Sequence, residues 1–190
     1  MGHISVISNK YNDDRVDEDV LGYILNSKKT KSGLFGGVGV LMSTPGWIAQ
    51  QFRAVRAVYH KNVGKRVHHM VVSFENRKGM IAQDAYLIGW LIAKVFDVGF
   101  QVVFAVHEDA KQLHIHFVIN SVNVQTGYKW SMNPVEFSWL QEYVQRCEYA
   151  ICTQKNGVYP QDDQELYYLF TASPEVVKQL VEKKEKRIQG

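Results

Sequence analysis

Cysteine is scarce in this 190-residue chain: Cys147 and Cys152 are the only two. Both fall in one helical pattern, five residues apart, which is poor geometry for a disulfide. Two thiols make neither a disulfide framework nor a four-ligand zinc site. A signal-peptide apolar core is missing from the N-terminus, so a cytoplasmic, reducing setting is the expectation. No run of about 18 apolar residues occurs, so no membrane insertion is expected. Low-complexity tracts, internal repeats and domain-linking segments are also missing. What is present is 46% hydrophobic and 12% aromatic composition, which excludes a mostly disordered chain. Residues 1–190 are read as one domain, long enough to bury a sizeable core.

Acid is missing from one long stretch. Between Val20 and Phe74 there is no Asp or Glu, while Lys28, Lys29, Lys31, Arg53, Arg56, Lys61, Lys65 and Arg66 all fall there. The formal net charge of +3 therefore hides a segment of +8 between two mildly acidic blocks. A solvated basic face is the plain reading of such a run. A phosphate-binding face is the functional one, and its field would weaken with salt.

Three of the four prolines directly follow a good N-cap residue, at Thr44-Pro45, Asn133-Pro134 and Ser173-Pro174. Proline at the first helical position is a start signal, and Glu136 adds a capping box to the second. Helices are thus predicted near 45–60, 133–153 and 174–188. Apolar spacing adds a helix over 80–98 and a short one over 17–26. The Lys-, Ser- and Gly-rich run 28–39 reads as a loop. Strands are predicted over 67–74, 100–107 and 114–122. The sum is an α+β chain, with helices packed on a central antiparallel sheet.

The most informative stretch is 100–123, two β-rich runs joined by a polar connection. Closed symmetrically as a hairpin, it sets His107 opposite His114. Side chains alternate faces along a strand, so His116 shares that face. One face then reads Val103, Ala105, His107 against His114, His116, Val118. The other face, Val102, Phe104, Val106 against Ile115, Phe117, Ile119, is wholly apolar and needs a cover of helices. One histidine on a strand is usually structural. Three converging imidazoles suit a divalent metal with positions left open. Asp109, two residues past His107, is either an orienting partner for an imidazole or a plain turn residue. The H-E-x-x-H motif, a paired H-x-T motif, a Walker phosphate loop and serine-triad motifs are all missing.

The run H-x-D-x-x-x-x-H-x-H, followed by FVIN, resembles the histidine motif of conjugative relaxases. These are the mobilisation nucleases of the HUH superfamily, and the likeness is to the MobA/MobL type. The run YILNSKKT from Tyr23 resembles the N-terminal motif of that family. HHMVVSF, ending near Ser73, resembles the strand motif ahead of the long helix. HIHFVINSVNVQTGYKW resembles the histidine strand with its Gly-Lys turn. The likeness covers roughly residues 20–145, in the expected order.

The resemblance implies an HUH relaxase-like fold with the histidine triad on a β-hairpin. It implies Tyr23 as nucleophile and a divalent ion, Mn²⁺ or Mg²⁺, on His107, His114 and His116. Nicking of one DNA strand at a transfer origin through a 5′-phosphotyrosyl link would start mobilisation of a plasmid or conjugative element. On periodicity alone, Tyr23 reads as a core tyrosine beside Val20 and Ile24. Tyr11 is a competing nucleophile without the surrounding motif. Glu75 is either a base or imidazole partner, or a solvent-facing acid. Lys28, Lys29, Lys31, Arg53, Arg56, Ser73, Asn120 and Lys129 are the expected DNA contacts. Trp47, Tyr59, Tyr128 and Trp130 are candidates for base stacking. Single-stranded or origin DNA is the expected partner, together with relaxosome and coupling proteins. Gln112 stands where the family often has His, and little effect is expected.

Two other readings belong beside this one. A rolling-circle initiator or single-strand transposase of the same superfamily usually carries its tyrosine after the histidine motif, so Tyr23 ahead of His107 favours the relaxase order. A non-catalytic, metal-stabilised DNA-binding module would bind a strand without any covalent product. These residues are read as one domain and could form the N-terminal part of a longer relaxase; the charged closing KKEKRIQ is compatible with either.

Overall fold

The computed structural model describes residues 2–7, 11–30, 33–74, 80–97, 99–108 and 112–155. Nine elements follow in order: β1 (His3–Ile7), α1 (Val16–Ile24), β2 (Phe35–Val38), α2 (Pro45–Val58), β3 (Val67–Ser73), α3 (Ala82–Val95), β4 (Val102–His107), β5 (His114–Asn120) and α4 (Pro134–Lys155). The strands form one antiparallel sheet in the order β1-β3-β5-β4-β2. The α+β class is as expected from the sequence.

Local chemistry sets the helix starts. The Thr44 hydroxyl accepts from the Trp47 amide, with Pro45 at the first helical position. Asn133 accepts from the Glu136 amide while the Glu136 carboxylate accepts from the Asn133 amide, a reciprocal capping box. The helix predicted over 174–188 lies outside the described residues.

The β4–β5 hairpin closes in the predicted register, with His107 opposite His114, Ala105 opposite His116 and Val103 opposite Val118. Its apolar face carries Val102, Phe104, Val106, Ile115, Phe117 and Ile119, all buried in one core with Ala85, Ile88 and Ile92 of α3 and Leu140 and Val144 of α4. On the opposite face, α1 and α2 cover Val103, Ala105 and Val118 with Val20, Leu21, Ile24, Ile48 and Phe52. The histidine face is therefore half core and half site. Its apolar rungs lie under two helices, and its imidazoles crowd the other end of the strands.

Two strands depart from the sequence reading. The run 28–39, read as a loop, contains β2, which pairs with β4 from Phe35↔Ala105 to Val38↔Val102. Its glycines leave room for neighbours: a Cβ at Gly36 would lie 2.6 Å from the Trp90 ring. Composition alone suggests a turn, and only β4 beside it makes it a strand. Residues 26–30 are also ordered, since the Asn26 carbonyl accepts from the amides of Lys29 and Thr30 and its side-chain oxygen accepts from the Lys28 amide. β1 was not foreseen either. It pairs along the full length of its five residues with β3.

Candidate active site

Three strands present the site. Cross-strand pairing of Ser73 with His114, Val71 with His116 and His69 with Val118 sets Ser73 and His69 of β3 on the same face as the triad. One ring nitrogen from each of His107, His114 and His116 lies within 4.8 Å of the others, a group that could hold a metal ion. Sequence reasoning therefore identified the three members of the cluster.

Each ring is held at its outer nitrogen. His107 Nε2 lies 2.8 Å from the Ile24 carbonyl and His114 Nδ1 lies 2.9 Å from the Gln112 carbonyl. A carbonyl can only accept, so both rings donate there, and their neutral forms carry the lone pair on His107 Nδ1 and His114 Nε2. His116 Nδ1 lies 2.8 Å from His69 Nε2. His116 Nε2 is buried and has no hydrogen-bond partner. A buried imidazole nitrogen left without a partner beside two further lone pairs fits a divalent metal ion, whose bond would satisfy it. Gln112 meets the cluster through its backbone carbonyl.

Burial also keeps His116 and His69 neutral. His116 is pushed down to about 2, first by burial and then by the neighbouring positive forms of His107, His69 and His114. His69 is pushed down to about 4, by burial and by His107. Neutral imidazole is the ligand form.

Tyr23 lies in the last turn of α1, over the cluster. Its ring centroid is 5.4 Å from that of His116, edge-on, and 5.7 Å from that of His107, and the residue is 44% exposed. The core-tyrosine alternative does not describe this position. Val20 and Ile24 turn inward, while Tyr23 faces the imidazoles and solvent. Lys29 Nζ sits 4.5 Å from the centre of the Tyr23 ring. Lys28, its neighbour in sequence, is exposed. The backbone of this turn is tied to the hairpin, because the Lys29 carbonyl accepts from the Glu108 amide.

Other expected DNA contacts are placed differently. Arg56 and Asn120 are fully buried. Arg56 ion-pairs with the buried Asp17 and donates to the Asn120 side-chain oxygen, whose amide donates to the Phe52 carbonyl and to Gln101. A phosphate could reach neither residue without opening the core, so both expectations are revised to a structural role. Lys129 donates to the carbonyls of Val63 and Lys65 and so ties down the connection into β3. Arg53 pairs with Asp17 and Glu18 at the start of α1, and Arg66 pairs with Asp14. The acid-free segment is thus partly neutralised by acids from the block before it. Sequence distance concealed this, because each pair joins residues at least 35 positions apart. Trp47 and Tyr128 are exposed, whereas Trp130 packs against His68 and Phe96. Lys31, Glu75 and Asp109 lie outside the described residues.

His69 was missed as a neighbour of the cluster, and so was its contact with Tyr11, which the sequence offered only as a competing nucleophile. The signal was present, since His69 sits two positions from Val71 on a strand that alternates faces, but its neighbour strand could not be read from the sequence.

Comparison with known proteins agrees with this geometry. A family model, Relaxase: MobA/VirD2-like, nuclease domain, matches residues 23–151, from the candidate nucleophile into α4. The chain is 28% identical over 117 residues to a "Protein rlx" of Staphylococcus aureus, covering 62% of this chain and 35% of that protein. A second "Protein rlx" of the same species is 29% identical over 113 residues, covering 60% and 33%. The chain thus spans about a third of the length of these curated relatives. With more than half of its residues matched to one family, and with the histidine cluster and sheet just described, this chain belongs to the MobA/VirD2-like relaxase nuclease domain family.

Proposed function

We propose that this domain nicks one strand of DNA at a transfer origin, with Tyr23 as nucleophile, and so initiates mobilisation of a plasmid or conjugative element. The observation that carries the reading is the contact of the half-exposed Tyr23 ring with the rings of His107 and His116. A phenol has a reference pKa near 10 and is a weak nucleophile at neutral pH. His107, His114 and His116 would hold a divalent ion, Mn²⁺ or Mg²⁺, through the nitrogens left over from their outer hydrogen bonds. Such an ion supplies positive charge that stabilises a phenolate and the charge growing on a phosphate.

The Tyr23 oxygen forms a bond to the phosphorus of a phosphodiester and the bond from phosphorus to the 3′-oxygen breaks. The phenolic proton is released and the 3′-oxygen gains one. The strand is left with its 5′-phosphate on tyrosine. That linkage conserves the phosphodiester for later rejoining. Lys29, over the Tyr23 ring, and the exposed Lys28 next to it in sequence neutralise phosphates next to the break, and Ser73 offers a hydroxyl on the same face as the triad.

The test is incubation with pooled single-stranded oligonucleotides and Mn²⁺ or Mg²⁺, followed by denaturing gels. A covalent protein–DNA band that is lost in Tyr23→Phe supports the reading. Strand binding with no covalent band under any metal overturns it in favour of a binding module. A band that survives Tyr23→Phe and vanishes in Tyr11→Phe moves the nucleophile.

A further inference from the structure

His69 lies on β3, outside the triad, and is 95% buried. Its Nε2 is 2.8 Å from His116 Nδ1 and its Nδ1 is 2.9 Å from the Tyr11 hydroxyl. Tyr11 is itself buried, and its carbonyl accepts from the Arg66 amide just ahead of β3. The three side chains make a continuous line from the loop before α1 to the innermost imidazole of the cluster.

The three outer contacts of the triad differ in kind. The carbonyls of Ile24 and Gln112 can only accept, so they force His107 and His114 into one tautomer each. An imidazole can donate or accept, so the His69–His116 contact holds a single proton that either ring might own. If His69 Nε2 carried it, His116 would bear its own proton on Nε2, aimed into the cluster, and would offer no lone pair there. A proton on His69 Nδ1, directed at the Tyr11 oxygen, leaves His69 Nε2 as an acceptor and requires His116 to donate from Nδ1.

We propose that His69, backed by Tyr11, is a positioning residue that holds His116 as the Nδ1–H tautomer and so turns its Nε2 lone pair toward the metal. This rests on the metal-centre reading above. It assigns Tyr11, the competing tyrosine of the sequence, a supporting task in place of nucleophilic attack. It also makes His116 a ligand whose orientation depends on a side chain, and so one that a point substitution can disturb without touching a ligand.

The experiment has two readouts on the same proteins: wild type, His69→Leu, His69→Gln and Tyr11→Phe. The first is the imidazole ¹⁵N spectrum of the metal-free chain, which distinguishes the two tautomers of His116. The second is titration with Mn²⁺ alone by calorimetry, with circular dichroism to confirm folding. Wild type should show the Nδ1–H form. His69→Leu should lose that uniform signature and bind Mn²⁺ about 10- to 100-fold more weakly, the usual cost of removing a partner behind a ligand histidine. His69→Gln, whose amide oxygen can still accept from His116, should bind close to wild type. Tyr11→Phe, which keeps both rings, should show a mixture of tautomers and a smaller loss, and it carries the test if His69→Leu does not fold. An Nε2–H form in wild type would overturn the proposal, as would a Gln variant as weak as the Leu variant or unchanged Mn²⁺ affinity in both His69→Leu and Tyr11→Phe. Wild type that shows the Nδ1–H form yet takes up no Mn²⁺ would overturn the metal-centre reading itself, and this proposal with it.

Discussion

His107 donates from Nε2 to the carbonyl of Ile24, the residue after Tyr23, at 2.8 Å. That carbonyl belongs to the last turn of α1, where the helix leaves its acceptors without internal partners. One imidazole therefore closes the end of the helix that carries the candidate nucleophile and, through its other nitrogen, faces the cluster. The helix of the candidate nucleophile and the triad are joined through a backbone atom across 83 residues of chain.

The His107–Ile24 bond predicts that His107→Ala loosens α1 as well as the metal site. The Leu25 amide, which donates to the Leu21 carbonyl in that last turn, should exchange with solvent roughly fivefold faster. That corresponds to about 1 kcal/mol for one lost hydrogen bond. Amide exchange measured by NMR checks this. Unchanged exchange at Leu25 would show that packing alone holds the turn.

Arg56 and Arg53 sit one turn apart on α2 and both face Asp17, yet their losses should differ. Arg56 and Asp17 are both fully buried, so Arg56→Ala leaves the buried carboxylate with only its longer contact to Arg53 and should cost about 3 kcal/mol. Arg53 is about one-third exposed and pairs at the surface, so Arg53→Ala should cost no more than about 1 kcal/mol. Urea unfolding monitored by tryptophan fluorescence compares the two.

Salt dependence of strand binding separates the lysines that follow Tyr23 from the arginines paired with acids. Each phosphate contact on a single strand contributes roughly 0.7 to the slope of log affinity against log salt. Lys28→Ala and Lys29→Ala should each flatten the slope by about that amount. Arg66→Ala should leave it near the wild-type value, because Asp14 already neutralises Arg66. Fluorescence anisotropy with a labelled oligonucleotide between low and moderate salt gives the slopes.

Acid should destabilise the metal-free fold. His68 and His69 are each pushed down to about 4, chiefly by burial, whereas an unfolded histidine titrates near 6.5. Between those values the unfolded chain binds the extra protons, so stability rises with pH. The contribution is complete above about 6.5 and is lost as pH falls through 4. Melting temperatures taken between pH 7.5 and 4 should decline steadily. A His68→Gln, His69→Gln double variant should show a shallower decline.

Gly89 on α3 packs against Phe104, and a Cβ there would fall 2.5 Å from the ring. Alanine is worth about 1 kcal/mol over glycine in a helix interior, while overpacking a core costs about 1–3 kcal/mol. Gly89→Ala should therefore be net destabilising despite the better helix former, as thermal melts of the two proteins would report.

Much of the candidate site could be read from the chain because it is local. Register in a short hairpin follows from alternation and symmetric closure, so His107, His114 and His116 could be assigned to one face from residues 100–123 alone. Helix starts at Pro45 and Pro134 follow from the cap residue immediately before each. The apolar rows of β4 and β5 announced a cover of helices, though not which ones. These features depend on neighbours within a few residues, where the backbone periods are stiff and few.

What only the tertiary structure decided is long-range. β3 lies between β1 and β5, and that insertion brings His69 to His116 across 47 residues and to Tyr11 across 58. The helix of Tyr23 could be drawn from its own sequence, but which side met the imidazoles depended on α2 and the hairpin beneath it. The eight basic residues of the acid-free segment look equivalent in a charge count. Folding separates them, pairing Arg53, Arg56 and Arg66 with acids near α1 and setting Lys29 over Tyr23. Charge composition is additive along a chain, whereas electrostatic free energy depends on distance and burial, and those exist only once the sheet and its helices have come together.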